Sequence, residues 1–150
     1  MLENRNAWLI PTVLWAILVV PAVWLRPLLP MDETRYLAVA WEMWQRGDFL
    51  VPYLNGEPYS HKPPLLFWGM HLGWALFGVN DWWPRLVAPL FGLASLLMTV
   101  RLGTLLWPSL PMVGPSAAML VLGALFWTLF TTMTMFDMLH AACALGGLLG

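Results

Sequence analysis

Long stretches without charged residues recur along the chain and are separated by shorter polar segments. Residues 7–25 carry no charge and lie between Arg5 and Arg26. A helix of this length is about 28 Å long, close to the thickness of a bilayer core. Residues 24–27 offer no small-residue cleavage site, so the segment is predicted to be a retained first span rather than a signal peptide.

Three more apolar segments follow the first. Residues 84–106 predict span 2, in which Arg101 is close enough to the end to reach the membrane surface. Residues 116–135 are uncharged and predict span 3, and residues 138–150 begin a fourth span that stops short of the roughly 20 residues a crossing needs. The pattern predicts an all-α, polytopic membrane protein with three complete spans and a truncated fourth.

The polar loop between the first two spans, residues 26–83, is predicted to contain two helices that lie along the membrane surface. In residues 33–46 the apolar positions share one helical face, and Glu42 and Arg46 form an i, i+4 pair on the other. A glycine directly after this helix supplies its C-terminal stop. Residues 64–79 are apolar and aromatic but too short to span, and glycines interrupt them.

The composition supports a membrane location. Hydrophobic residues make up 60% of the chain and charged residues 10%, whereas soluble domains usually carry about 25% charged residues. The net charge of −1 gives no reason to expect nucleic acid as a partner. Cys143 is the single cysteine, which excludes a disulfide framework.

The first candidate for chemistry is the acidic pair Asp32 and Glu33. Asp32 is well placed to cap the N-terminus of the helix that follows, and Glu33 would interact favourably with the helix dipole. A carboxylate pair beside a membrane span is also what a general base or a metal site requires. The two roles are compatible, because a capping residue is held rigidly.

The second candidate is the segment 55–64, where an Asn-Gly turn is followed by an extended stretch. Lys62 in this segment is either an interfacial anchor or a ligand for a lipid phosphate.

The third candidate is Asp137, at the exit of span 3. An ionisable residue at membrane depth indicates a functional site, although Asp137 could instead cap the fourth span. His140 lies three residues further on the same helical face, so the two could bind a metal. The order of the predicted spans places Asp137 on the same membrane face as the loop that holds Asp32.

A set of linked motifs connects these candidates. The motifs are Asp-Glu-Thr-Arg-Tyr (32–36), Gly-Asp-Phe-Leu-Val-Pro (47–52), Leu-Asn-Gly-Glu-Pro-Tyr (54–59), Lys-Pro-Pro-Leu (62–65), Phe-Gly-Val-Asn-Asp-Trp (77–82) and Phe-Asp-Met (136–138). Together they resemble the first periplasmic loop of the bacterial GT-C glycosyltransferases. These include the aminoarabinose transferase of lipid A and the wider superfamily of dolichyl-phosphate-mannose protein mannosyltransferases (glycosyltransferase family 39). The resemblance covers nearly the whole chain.

The resemblance implies roles for single residues. It implies that Asp32, its neighbour Glu33 and the second-loop Asp137 are catalytic, with Asp32 as general base or acceptor-positioning group. It implies that Lys62 holds the donor phosphate, and the residues close enough to assist are Arg35, Tyr36 and Tyr59. His61 stands where the family has a metal-binding glutamate. Histidine also binds zinc, so the resemblance leaves room for a divalent metal whose other ligands lie beyond Gly150. It implies no organic cofactor.

The function implied by the resemblance is transfer of a sugar from a polyprenyl-phosphate donor to a lipid acceptor, such as lipid A, or to a protein acceptor. The reaction would take place at the periplasmic face of the bacterial inner membrane, with membrane lipids around the spans. The chain is expected to be the N-terminal part of a longer enzyme and inactive alone. Two alternatives stay open, a non-catalytic membrane interaction or assembly subunit and a transporter fragment.

Overall fold

The computed structural model describes residues 6–150, and most of these residues lie in helices. The helices are α1 (Asn6–Leu25), α2 (Asp32–Arg46), α3 (Leu65–Phe77), α4 (Trp82–Leu106), α5 (Val113–Gly123), α6 (Leu125–Thr131) and α7 (Asp137–Leu149). The strands β1 (Tyr53–Leu54) and β2 (Glu57–Pro58) form a short antiparallel hairpin. The prediction of an all-α fold is confirmed. Arg5, expected to flank the first span, lies outside the described residues.

Two of the described helices are long and apolar enough to cross a membrane, one over Trp8–Leu25 and one over Trp82–Leu106. The side of α1 that faces away from the other helices is apolar. Its large exposed side chains include Leu9, Ile10, Val13 and Ile17. Apolar residues at these positions would be unfavourable in water and suit a lipid environment, so the chain is embedded in a membrane.

The segment predicted as a straight third span, residues 116–135, is bent. Helices α5 and α6 meet at an angle of 76°, and Ala124 between them is extended. The Thr128 hydroxyl donates to the Leu122 carbonyl at 2.5 Å, which compensates a backbone acceptor at the break. The prediction of three complete spans therefore holds only when the bent pair counts as one.

Helix α4 is central and packs against α1, α3, α5 and α7. One buried cluster joins it to α1 and α5 through residues that include Trp15, Val19 and Leu96. The α4–α5 contact is close because two glycines meet there. A Cβ built on Gly103 would lie 2.6 Å from the Gly114 Cα. Small residues allow such close approach of membrane helices.

We expect Gly103→Val to destabilise the protein by about 1–3 kcal/mol, because the added atoms meet backbone that cannot rotate away. The measurement is the melting temperature in detergent. Gly146→Ala in α7 is the control, since nothing lies within 4 Å of the added Cβ. An unchanged melting temperature for Gly103→Val would contradict this packing.

Helix α3 runs without interruption through Gly69 and Gly73, contrary to the sequence prediction, and ends before Gly78. The two inner glycines make room for side chains of α4, Gly69 for Val87 and Gly73 for Trp83. The Trp83 indole donates to the Gly69 carbonyl at 2.9 Å, and a Cβ on Gly73 would lie 1.8 Å from its Nε1. The glycines thus fix α3 against α4 rather than breaking the helix.

Candidate functional site

The hairpin between α2 and α3 sets the path of the chain that carries Tyr59, His61 and Lys62. Asn55 and Gly56 form its two-residue turn with φ angles of 55° and 87°, which is the geometry that Asn-Gly favours. The predicted turn is confirmed. The Tyr59 amide donates to the Pro52 carbonyl at 2.7 Å, directly after the paired strands.

Tyr59 is buried, and the His61 ring stacks on it with ring centroids 5.2 Å apart. The side chain of Lys62 continues in another direction, and its Nζ lies 5.5 Å from the centre of the Phe136 ring. This contact brings Lys62 to the residue directly before Asp137.

Asp32 is the first residue of α2 and does not cap it, so the capping prediction is wrong. The N-cap position is Met31, which has a φ of 74° and makes no side-chain capping bond. Because the chain turns at Met31, Asp32 already has a helical backbone. The Asp32 carboxylate instead pairs with the Arg35 guanidinium one turn later, and about 42% of its side chain is exposed. The carboxylate is therefore accessible to a substrate.

Glu33 is 1% exposed and has a full set of hydrogen bonds. Both of its oxygens accept from Arg26, at 2.7 and 2.8 Å. The amides of Leu29 and Thr134 donate to them as well, each at 2.7 Å. We call this group the Arg26–Glu33 clamp. It joins the end of α1, the start of α2 and the connection between α6 and α7.

The pKa of Glu33 reflects opposing influences. Burial raises the pKa, but the hydrogen bonds from Arg26, Leu29 and Thr134, together with the Arg26 charge, outweigh burial and hold it below its usual value. Glu33 is therefore ionised at neutral pH and has no vacant lone pair directed at a substrate. The geometry favours a positioning role for it.

Two further contacts extend the clamp. Arg26 also donates to the Thr132 carbonyl at 3.0 Å. Arg85, in the first turn of α4, donates to the carbonyls of Ala22 and Arg26 at the end of α1. Those carbonyls lack partners within their own helix, so Arg85 acts as a C-terminal cap supplied by another helix.

The residue just before α7, Phe136, packs against the aromatic rings of α2 and α3. The Phe136 ring packs edge-on against Tyr36 at 5.2 Å and against Phe67 at 5.6 Å. Asp32 lies one turn before Tyr36, and Asp137 directly follows Phe136. Lys62 contacts the same Phe136 ring. The three charged residues therefore lie at one end of the helix bundle.

The pKa of the Tyr36 phenol is influenced by the carboxylates of Asp32 and Asp137. Burial, followed by the negative charges of Asp32 and Asp137, raises the pKa of its phenol, while Arg35 opposes the shift. The phenol is thus protonated at neutral pH. It can donate a hydrogen bond to an anionic substrate group.

Asp137 is exposed and opens α7 without a capping bond from its side chain, so the alternative role of helix cap is wrong as well. His140 is exposed one turn later. Among residues 6–150, no three His, Cys, Asp or Glu side chains are grouped as metal ligands. Histidine as a ligand, at position 61 or 140, stays a prediction.

An apolar cleft lies beside Asp32, with a volume of about 320 Å³. Helix α6 and the connection after it supply one wall, and the end of the connection before α2 together with the first residues of α2 supplies the other. Its lining comprises Leu29, Pro30, Asp32, Glu33, Phe126, Leu129, Phe130, Met133 and Met135. The cleft is thus hydrocarbon-like except at the acidic end.

His71 of α3 is a buried polar residue for which no role was predicted. Its Nε2 lies 2.8 Å from the Ala40 carbonyl of α2, and the rings of Trp44, Phe49 and Trp74 surround it. Burial lowers the pKa of the imidazole, and the bond to Ala40 opposes the shift in part. A neutral His71 therefore holds α2 and α3 together.

Several known proteins are similar to about half of this chain. An uncharacterised protein of Aquifex aeolicus is 35% identical over 81 residues, which cover 53% of this chain and 20% of that protein. The undecaprenyl phosphate-alpha-4-amino-4-deoxy-L-arabinose arabinosyl transferase of Photorhabdus laumondii is 36% identical over 76 residues. The protein of the same name from Yersinia enterocolitica is 37% identical over 76 residues. Both matches cover 51% of this chain and 14% of the relative.

The matched parts thus span a fifth or less of the relatives' length. No protein-family model matches the chain. No solved structure matches it either. The similarity to proteins named arabinosyl transferases extends over about half of this chain.

Proposed function

We propose that this chain forms part of the active site of a membrane glycosyltransferase that moves a sugar from a polyprenyl-phosphate donor to a lipid acceptor. The observation that carries the proposal is the Tyr36–Phe136 contact, because Lys62 lies against the Phe136 ring and the charges of Asp32 and Asp137 both act on the Tyr36 phenol. The names of the similar arabinosyl transferases support a lipid-linked donor. The periplasmic face of the bacterial inner membrane is the proposed location of the reaction.

The proposed chemistry is a displacement at the anomeric carbon of the donor sugar. Asp32 accepts the proton of the acceptor hydroxyl as its oxygen forms the new bond to that carbon. The bond from the carbon to the phosphate oxygen breaks, and its electron pair leaves with the polyprenyl phosphate. Asp137 lies at the same end of the bundle, where it can orient the acceptor or the sugar.

The leaving phosphate needs cations and hydrogen-bond donors, because negative charge accumulates on it in the transition state. Lys62 is the proposed main cation, and Arg35 and the Tyr36 phenol are close enough to assist. Tyr59, buried between the hairpin and α2, holds the segment that presents Lys62. His61 as a metal ligand remains a proposal, since no three His, Cys, Asp or Glu side chains are grouped as metal ligands among residues 6–150. The steps above describe what the side chains of this chain do.

The apolar cleft beside Asp32 favours a lipid acceptor over a protein acceptor. Apart from Asp32 and Glu33, the side chains that line the cleft are hydrocarbon or thioether groups. They come from α6, from the connection after it and from the residues just before α2. A substrate chain in this cleft would place its polar head at the acidic end. A protein hydroxyl would gain nothing from such a lining.

We expect Lys62→Ala to raise the KM for the polyprenyl-phosphate sugar by at least about tenfold, because a charge-assisted contact to phosphate contributes more than about 1.4 kcal/mol. The acceptor KM should change little. The measurement is initial-rate kinetics on the full open reading frame that contains this chain, in membrane vesicles with varied donor. Lys62→Arg, which keeps the charge, should recover part of the donor affinity.

A donor KM that is the same in Lys62→Ala and the unmodified protein would contradict the assignment of Lys62. Transfer to a soluble Ser/Thr peptide as efficient as transfer to a lipid would contradict the lipid acceptor. The two results test separate parts of the proposal.

A further inference from the structure

Glu42, on the exposed side of α2, makes more contacts than a helix-surface residue usually does. One of its oxygens, Oε1, accepts from Arg46 at 3.0 Å (Nε) and 2.8 Å (Nη2). The same oxygen accepts from the backbone amide of Gly56 at 2.9 Å, fourteen positions along the chain. The carboxylate therefore ties the helix to the tip of the hairpin.

Arg46 adds a second contact between the same two elements. Its guanidinium carbon lies 4.2 Å from the centre of the Tyr53 ring, which belongs to β1. Its Nη2 lies beside the turn, 4.0 Å from where a Cβ on Gly56 would be. We call Glu42, Arg46, Tyr53 and Gly56 the hairpin latch.

The latch differs from an ordinary surface ion pair. An isolated exposed pair contributes little to stability, and the Arg46 side chain is about 41% exposed. Here one carboxylate oxygen serves three donors in two elements, and an aromatic ring covers the guanidinium. Networks of this kind hold a fixed geometry better than single pairs do.

The hairpin that the latch holds leads directly into the segment that carries Lys62. β2 ends at Pro58, and the next residue, Tyr59, bonds back to Pro52. Lys62 follows after three residues and is itself followed by two prolines that restrict the backbone before α3. The position of Lys62 is therefore set by the hairpin on one side and by α3 on the other.

We propose that Glu42 is a positioning residue for the donor phosphate, acting through the hairpin on Lys62. The inference rests on the proposed function, because it takes Lys62 as the phosphate-binding cation. Releasing the hairpin from α2 keeps the charge of Lys62 but allows its side chain to occupy more positions. Affinity for the donor then falls, while the acceptor side of the site around Asp32 is unaffected.

The test is a double-mutant cycle in the full open reading frame that contains this chain. Glu42→Ala should raise the donor KM about tenfold with acceptor KM and kcat nearly unchanged, and Glu42→Gln, which keeps an acceptor for the Gly56 amide, should raise it less. In the Lys62→Ala background, Glu42→Ala should have no further effect. The matched control is Glu57→Gln, an exposed carboxylate of the same hairpin with no bond to α2 in the described part of the chain.

Distinct results separate this inference from the proposed function. A normal donor KM for both Glu42→Ala and Glu42→Gln, with a raised one for Lys62→Ala, would overturn the positioning role alone. Full additivity of the two substitutions would overturn it too, since Glu42 would then not act through Lys62. A normal donor KM for Lys62→Ala would overturn the proposed function itself. If Glu42→Ala does not accumulate in membranes, Glu42→Gln and Arg46→Gln carry the same cycle.

Discussion

Asp32→Asn should reduce sugar transfer by about 10²- to 10⁴-fold, the range that a general base contributes. Asparagine keeps the size and the hydrogen-bonding shape of the side chain but cannot take up the proton of the acceptor hydroxyl. The reduction should fall on kcat. The donor KM should change less, because the cations that hold the phosphate are still present.

The same variant should fold normally. The Asp32 carboxylate is about 42% exposed and pairs with Arg35, which is about 40% exposed, and exposed pairs contribute between 0 and about 1 kcal/mol. The measurement combines transfer from a polyprenyl-phosphate sugar in membrane vesicles with the melting temperature in detergent. Glu57→Gln, in the exposed hairpin, serves as the control for removing one negative charge.

Undiminished transfer in Asp32→Asn would remove Asp32 from the chemistry and leave Asp137 as the remaining carboxylate at this end of the bundle. A large fall in melting temperature would instead show that the Asp32–Arg35 pair stabilises the fold. We expect Asp32→Asn to lose transfer rate while its melting temperature stays unchanged.

Local sequence signals predicted the elements that local physics determines. The Asn55-Gly56 pair predicted the hairpin turn, because positive φ angles are favourable there. The Glu42–Arg46 spacing predicted their ion pair, and Gly47 predicted the end of α2, where it adopts a left-handed conformation with a φ of 67°. These features depend on neighbours within one or two turns of chain.

The features that escaped prediction depend on distant partners. Glu33 could be seen as favourable to a helix dipole, but its contact with the Thr134 amide spans 101 positions. Glu42 was predicted to pair with Arg46, yet its bond to Gly56 links two separate elements. The bend at Ala124 lies in an uncharged segment, where neither charge nor periodicity marks a break. The prediction that Asp32 caps α2 was wrong because the helix begins one residue earlier than expected, with Met31 at the N-cap position.

Removing Glu33 should have the largest effect on stability. In Glu33→Ala, Arg26 keeps its charge inside the clamp without a counter-ion, and the amides of Leu29 and Thr134 lose their acceptor. Breaking a buried pair on one side costs about 3–5 kcal/mol. We expect a value near the lower end, about 3 kcal/mol, because about 25% of the Arg26 side chain is exposed to solvent.

The pH dependence of stability provides a second measurement. The folded-state pKa of Glu33 is below its usual value, so its contribution is present above the ordinary glutamate pKa and is lost as the pH falls through the folded pKa. The melting temperature of the unmodified protein should therefore fall on acidification below about pH 4.5. Glu33→Ala should lack that component of the fall while other carboxylates continue to titrate.

A double variant distinguishes the lost ion pair from the lost backbone contacts. Replacing a buried pair by apolar residues on both sides is often neutral, because no charge is left without a partner. Arg26→Met with Glu33→Leu should thus recover part of the stability lost in Glu33→Ala. Recovery should be incomplete, since the amides of Leu29 and Thr134 still lack an acceptor. Full recovery would mean that those amides find other partners, and no recovery would mean that the contacts to the α6–α7 connection, rather than the charge of Arg26, make the clamp stabilising.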